Sequence, residues 1–307
     1  MIRGVHGEKI VAARDSEKLP ESDKVILNQA IKKYDLWRES LCAVKGKNLD
    51  EVIIALVKLL NEYKYYIDVE VIFDSRDNFL YRQKGQLKLD NTIMEEFLPI
   101  FVNKCLITEL GQCDLQIGSQ VATFSSAYFA SSLSNPEIGG GLTIKTKDQD
   151  FSISRPLYIR ASYSPEFKEN TTKEVTTHLG YVLAELKTNL DKTMFQEASA
   201  TAHDVKLAVT GAKYYLLCDF LDMTPISTST TDIDEILIVR KAKRISSNIR
   251  KSFSTYEGRQ KYRKWYTDYL KDHPYDSRIF KRFIEHIIAQ IKNEELIEKS
   301  VLDVGYF

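Results

Sequence analysis

The chain has 307 residues, 43% of them apolar, which is enough to bury a full core without disulfide or metal staples. Its 43 Lys and Arg balance 43 Asp and Glu, and a net charge of zero excludes a protein that coats nucleic acid indiscriminately. Cys42, Cys105, Cys113 and Cys218 form no C-x-x-C pair and have no histidine at zinc-ligand spacing, which points to a reduced compartment.

The N-terminal stretch MIRGVHGEKIVAARDSEKLP lacks the apolar core of a signal peptide, and no apolar run approaches the about 20 residues that cross a bilayer. A soluble, cytoplasmic protein with no membrane partner is expected. Residues 21–41 carry apolar positions at helical spacing, with Ser22 or Asp23 as cap. A second helix starts near Asp50 (DEVIIALVKLLNEYKYY) and passes into a strand-like YYIDVEVIF. A third, NTIMEEFLP, has Asn91 or Thr92 as cap and Pro99 to bend or end it. Residues 1–123 therefore read as a mostly helical region for DNA recognition or subunit contacts.

From Phe124 to Gly141 small, polar and turn-forming residues predict a loop. Gly139-Gly140-Gly141 precedes a strand and not a helix, which is wrong for a phosphate-binding loop, and reads as a flexible turn at the edge of the active site. Next come four segments rich in β-branched and aromatic residues: LTIKTKDQDFSISRPLYIRAS, YVLAELK, AKYYLLCDFLDM and DEILIVRK. The helical DKTMFQEASATAHDVKLAV lies between the second and third. This order predicts an α/β core with a mixed sheet over residues 124–240, flanked by helices. Residues 241–307 read as a basic helical arm, with RQKYRKWYTDYLKD and then SRIFKRFIEHIIAQIKNEELIEK after the His273-Pro274 break.

Between Arg240 and Lys264 the positive residues Arg240, Lys241, Lys243, Arg244, Arg250, Lys251, Arg259, Lys261, Arg263 and Lys264 are opposed by Glu257 alone and interleaved with aromatics. A phosphate-tracking surface needs such a run, and Arg240, Lys241, Lys243 and Arg244 are its candidate DNA contacts. A solvated basic helix has the same composition.

An acid-x-Lys triplet occurs four times, so context must choose among them. Glu62-x-Lys64 ends an amphipathic helix, Glu166-x-Lys168 lies in a loop after Pro165, and Asp204-x-Lys206 is helical. Glu185-Leu186-Lys187 alone closes a predicted strand, where alternation sets Leu183, Glu185 and Lys187 on one face. Upstream, a hairpin-like strand around KDQDFSIS offers Asp148 and Asp150. The apolar alternation of Phe151 and Ile153 favours Asp150. Two carboxylates from adjacent strands and the Leu186 carbonyl can share a hard cation, and magnesium suits such an oxygen site better than zinc. Lys187 would then orient the attacking water. An exposed cross-strand ion pair is the plain alternative. The five histidines are dispersed, which argues against a histidine-metal nuclease; His203 reads as a surface residue and Glu197 as a possible outer partner of a metal-bound water.

An acid on one strand, Glu-x-Lys on the next and a following helix resembles the PD-(D/E)xK nuclease superfamily. The longer runs AELKTNLDKTMFQEA, GAKYYLLCDFLDM and GQLKLDNTIMEEFLP are similar to the BbvCI-type type II restriction endonucleases, over about residues 80–245. The resemblance implies a restriction-endonuclease-like fold, a catalytic set of Asp150, Glu185 and Lys187, Mg2+, and double-stranded DNA cut to a 5′-phosphate and a 3′-hydroxyl. It also implies an asymmetric site of the CCTNAGC kind, read by two related subunits, because a non-palindromic site lacks the symmetry a homodimer would match. Gln149 stands where the superfamily has proline, which leaves Asp148 and Asp150 both open. A homodimer, a repair or recombination nuclease with the same core and a non-catalytic DNA-binding module are the remaining readings.

Overall fold

Three amphipathic helices open the chain: α1 (Val5–Arg14), α2 (Glu21–Ala43) and α3 (Leu49–Tyr65), each burying one apolar stripe. The structure is a computed structural model and describes residues 3–112, 115–292, 302, 303 and 305. Cys113 and the expected helical stretch after Lys292 lie outside the described residues; Cys42, Cys105 and Cys218 are free thiols.

The strand expected at YYIDVEVIF is a π-helix, Tyr66–Phe73, running directly on from α3. Its β-branched residues suggested a strand, but Ile67, Val69, Val71, Ile72 and Phe73 are all buried and no breaker separates them from the helix before them. Burial on all sides overrides a weak propensity. After α4 (Phe79–Gln83), helix α5 (Thr92–Leu110) runs straight through Pro99 instead of ending there. Proline costs such a helix about 3 kcal/mol, and the burial of Phe97, Leu98, Phe101, Val102, Cys105 and Leu106 outweighs it. Pro20, and not Ser22 or Asp23, occupies the cap position of α2, while Asn91 caps α5 as expected, without a side-chain bond.

The sheet has seven strands: β1 (Gln116–Gly118), β2 (Val121–Phe129), β3 (Leu142–Gln149), β4 (Phe151–Ser162), β5 (Thr172–Leu190), β6 (Lys213–Leu221) and β7 (Glu235–Lys243). It is mixed and flanked by helices, as expected, although it begins at Gln116, ahead of the anticipated boundary at 124. The first third of the predicted loop belongs to strand β2, which pairs antiparallel with β3 from Val121↔Gln149 to Phe129↔Leu142. Its far half is largely exposed, so small polar residues are tolerated there. The segment 142–162 is two strands rather than a hairpin: β3 pairs β2, β4 pairs β1 and β5, and Asp150 sits at the break.

Strand β5 organises the molecule. One edge carries β4 antiparallel from Ser162↔Thr172 to Phe151↔Ala184; the other carries β6 parallel from Val182↔Lys213 onward, with β7 beyond. Alternation along β5 divides two cores. Val182 and Ala184 face a large cluster with α2, α3, α5 and α9 (Ser277–Lys292), and Leu183 faces a smaller one beneath α6 (Lys192–Ala208). On α9, Phe280, Phe283, Ile284, Ile287 and Ile288 form the buried stripe, with Phe283 edge-on to Phe151 and Tyr215. The N-terminal helices and the sheet thus share one core.

Gly139, Gly140 and Gly141 all have positive φ, and a Cβ on Gly139 would meet the Ala161 carbonyl at 2.6 Å. Only glycine fits that close approach. The turn is not at the active-site edge: Ala161 is eleven residues along β4 from Asp150, or about 35 Å at strand rise.

Candidate active site

The β4–β5 ladder ends at Phe151↔Ala184, so the next residues of β5 have lost their β4 partner. The Leu186 N–H donates instead to Asp150 Oδ2 at 2.8 Å. This bond pins the Asp150 carboxylate beside Glu185 and Lys187. Alternation turns those two toward the α6 side, as the sequence predicts, although β5 continues past them to Leu190. Lys187 Nζ lies 2.7 Å from Glu185 Oε1, and the buried Tyr214 hydroxyl donates to Glu185 Oε2 at 2.8 Å. Both oxygens of Glu185 are therefore held.

Burial pushes the Asp150 pKa up, and the Glu185 charge adds to that, against the Leu186 N–H and the cations Lys187 and Lys88. Burial works against the Lys187 charge, yet Glu185, with Asp150 and Glu197 behind it, outweighs burial and raises its pKa. Lys187 is thus a fixed cation. Glu197, exposed on α6, contributes the smallest part of that rise.

A third acid went unnoticed in the sequence. Glu95 on α5 is buried, accepts from Gln120 Nε2 at 3.1 Å, and has its pKa raised by burial and by the Asp150 charge. Nothing distinguishes it from Glu96 next to it in NTIMEEFLP, which instead accepts from the His6 N–H and the Tyr34 hydroxyl. Only the packing of α5 onto the sheet separates the two roles.

Asp148 is exposed on β3, away from this group. The other triplets have structural partners: Lys64 pairs with Asp68, Lys206 with Asp234, and Asp204 with Lys147. His203 is exposed and meets Asp232. Among the described residues no three His, Cys, Asp or Glu side chains close around one ion. The donor set is nevertheless oxygen only; the Glu185 charge raises the pKa of Asp150 and the Asp150 charge raises that of Glu95, which marks negative charge gathered in one place. A hard divalent ion fits such a set.

The basic run does not form one surface. Arg240 is 5% exposed, lies 3.7 Å from Asp68 and 3.9 Å from Asp219, donates to the His273 carbonyl and stacks on Tyr275. Its assignment as a DNA contact is corrected by this burial. Arg259 is fully buried and clamps the Phe73, Ser75 and Phe253 carbonyls. Arg263 pairs with Asp74, Lys241 with Asp276 and Arg244 with Asp222. Lys243 is exposed.

A family model described as Bpu10I restriction endonuclease matches residues 86–307, a span that includes every residue of the site. The chain belongs to the Bpu10I restriction endonuclease family. As a member it is a site-specific type II deoxyribonuclease, in agreement with the expectation from its long motifs. Among solved structures, the native BbvCI A2B2 tetramer at low resolution is similar at 17% identity and a TM-score of 0.48, covering 87% of this chain and 97% of that one. No curated protein matches the chain. Among the described residues no helix is long and apolar enough to cross a membrane.

Proposed function

We propose that this Bpu10I-family chain hydrolyses one strand of double-stranded DNA with Mg2+ held by Asp150, Glu185 and the Leu186 carbonyl. The observation that carries the reading is the Asp150 carboxylate bonded at 2.8 Å to the Leu186 N–H, between Glu185 and Lys187. Magnesium, when bound, offsets charge on the scissile phosphate and acidifies the attacking water.

The chain's own groups supply the rest. Tyr214 fixes the Glu185 carboxylate, so Glu185 need not reorient during the reaction. Lys187, kept protonated, orients the attacking water as a point charge and stabilises developing hydroxide; a raised pKa makes it a poor proton acceptor. Glu95 and Glu197 flank the site as outer acids. Lys241, Lys243 and Arg244 remain the candidates for phosphate contact from the basic run, Lys241 paired with Asp276 and Arg244 with Asp222.

The resemblance to BbvCI-type enzymes supports an asymmetric site of the CCTNAGC kind, a related second subunit and a bacterial cytoplasm. The test is supercoiled plasmid with and without Mg2+, beside Glu185→Ala and Lys187→Ala. The parent is expected to nick at discrete positions with the ion only, and both variants to bind DNA without nicking. Equal nicking by all three removes the proposed site.

A further inference from the structure

The turn leading into α5 holds an unusual lysine. Lys88 has φ +53°, a left-handed conformation that a non-glycine residue adopts at a cost and that clusters at functional sites. The fold holds it there from beneath. The buried His6 bridges the Tyr63 hydroxyl and the Thr92 hydroxyl at 3.0 Å each, and Thr92 Oγ1 donates to the Lys88 carbonyl. Burial lowers the His6 pKa to about 3, so the bridge stays neutral and fixed at working pH. The Lys88 N–H is held by the Gly85 carbonyl at 3.3 Å.

A rigid backbone thus presents an exposed side chain with no ion pair among the described residues. The turn borders the site: Asp90 and Asn91, the second and third residues after Lys88, line one pocket with Leu186 and Lys187. The first turn of α5 then carries Glu95, whose pKa the Lys88 charge lowers. A cation that served only to balance the acids of the site would be expected to bury itself in an ion pair with one of them. Lys88 remains exposed to solvent.

We propose that Lys88 is a second active-site cation, binding a non-bridging oxygen of the DNA backbone at or next to the scissile phosphate. This rests on the nuclease reading of Asp150, Glu185 and Lys187, and extends it to the substrate. Lysine suits the role as a compact point charge. The strained turn sets its position before DNA arrives, which lowers the ordering cost of the contact.

Lys88→Gly tests the idea in the full chain, because glycine accepts the left-handed backbone while the side chain and its ammonium are removed. DNA binding would be titrated over a range of salt in buffer without Mg2+, beside thermal melting and single-turnover cleavage with Mg2+. The expected result is an unchanged or higher Tm, a binding salt slope smaller by about one, and cleavage slower by roughly tenfold or more. Lys88→Arg should return most of the slope. A parental salt slope in Lys88→Gly overturns the proposal whatever the rate, and a fall in Tm with that slope unchanged marks a merely structural lysine. The slope needs no cleavage, so nicking by Glu185→Ala would remove the metal reading and leave this test standing.

Discussion

Asp150→Asn is expected to cut DNA at least about 10³-fold more slowly than the parent, a loss of roughly 4 kcal/mol of transition-state stabilisation. The amide keeps the shape of the side chain and can still accept the Leu186 N–H, so the β4–β5 junction should survive. What disappears is the charge that would grip a divalent ion. Asp148→Asn, on an exposed strand position, should stay within about twofold, as surface changes away from special features do. If Asp148→Asn were the inactive variant, the assignment of the metal acid would be reversed.

The same substitution carries a stability prediction of opposite sign. Burial, and then the Glu185 charge, raise the folded-state pKa of Asp150 above its ordinary 3.8. The folded chain therefore binds this proton more tightly than the unfolded chain. Stability falls as pH rises from the ordinary carboxylate value to the raised one, and stays lower above it. Asp150→Asn should melt higher than the parent at neutral pH, with the gap closing in acid. Thermal melts at two pH values would show it. A variant less stable at neutral pH would mean that the carboxylate is needed by the fold and not held for chemistry.

Arg240→Ala should have the largest effect on stability. Its guanidinium sits between Asp68 and Asp219 against the Tyr275 ring, and the Tyr275 hydroxyl donates to Asp219 at 2.9 Å. Removing one partner from a buried charge network leaves the others unbalanced, typically costing about 3–5 kcal/mol. In a chain of this size that lowers Tm by roughly 10 °C. The salt slope of DNA binding should not move, whereas Lys243→Ala should reduce it by about one at unchanged stability. A shallower slope in Arg240→Ala at parental Tm would restore Arg240 as a DNA contact.

Local pattern revealed what local physics decides. The apolar alternation of YVLAELK placed Glu185 and Lys187 together on the α6 face, and the three competing triplets were set aside by the elements that carry them. The segment SRIFKRFIEHIIAQIK reads as helix in the sequence, and α9 spans it. What depends on distant partners was hidden. Arg240 and Lys243 belong to one strand and one basic run, and only the acids brought up by the π-helix and β6 make the first structural. Glu95 and Glu96 are neighbours in sequence, and the rotation of α5 against the sheet sends one to Asp150 and the other to His6. The π-helix and the passage of α5 through Pro99 arise because burial outweighed propensities that a short window reads at face value.

The packing of Phe283 on α9 against Phe151 and Tyr215 has a consequence for timing during synthesis. These rings back the strands that bring Asp150 next to Glu185, yet α9 leaves the ribosome long after those strands do. A growing chain leaves that apolar patch bare until α9 arrives, so the strands that carry Asp150 and Glu185 stay unbacked until then.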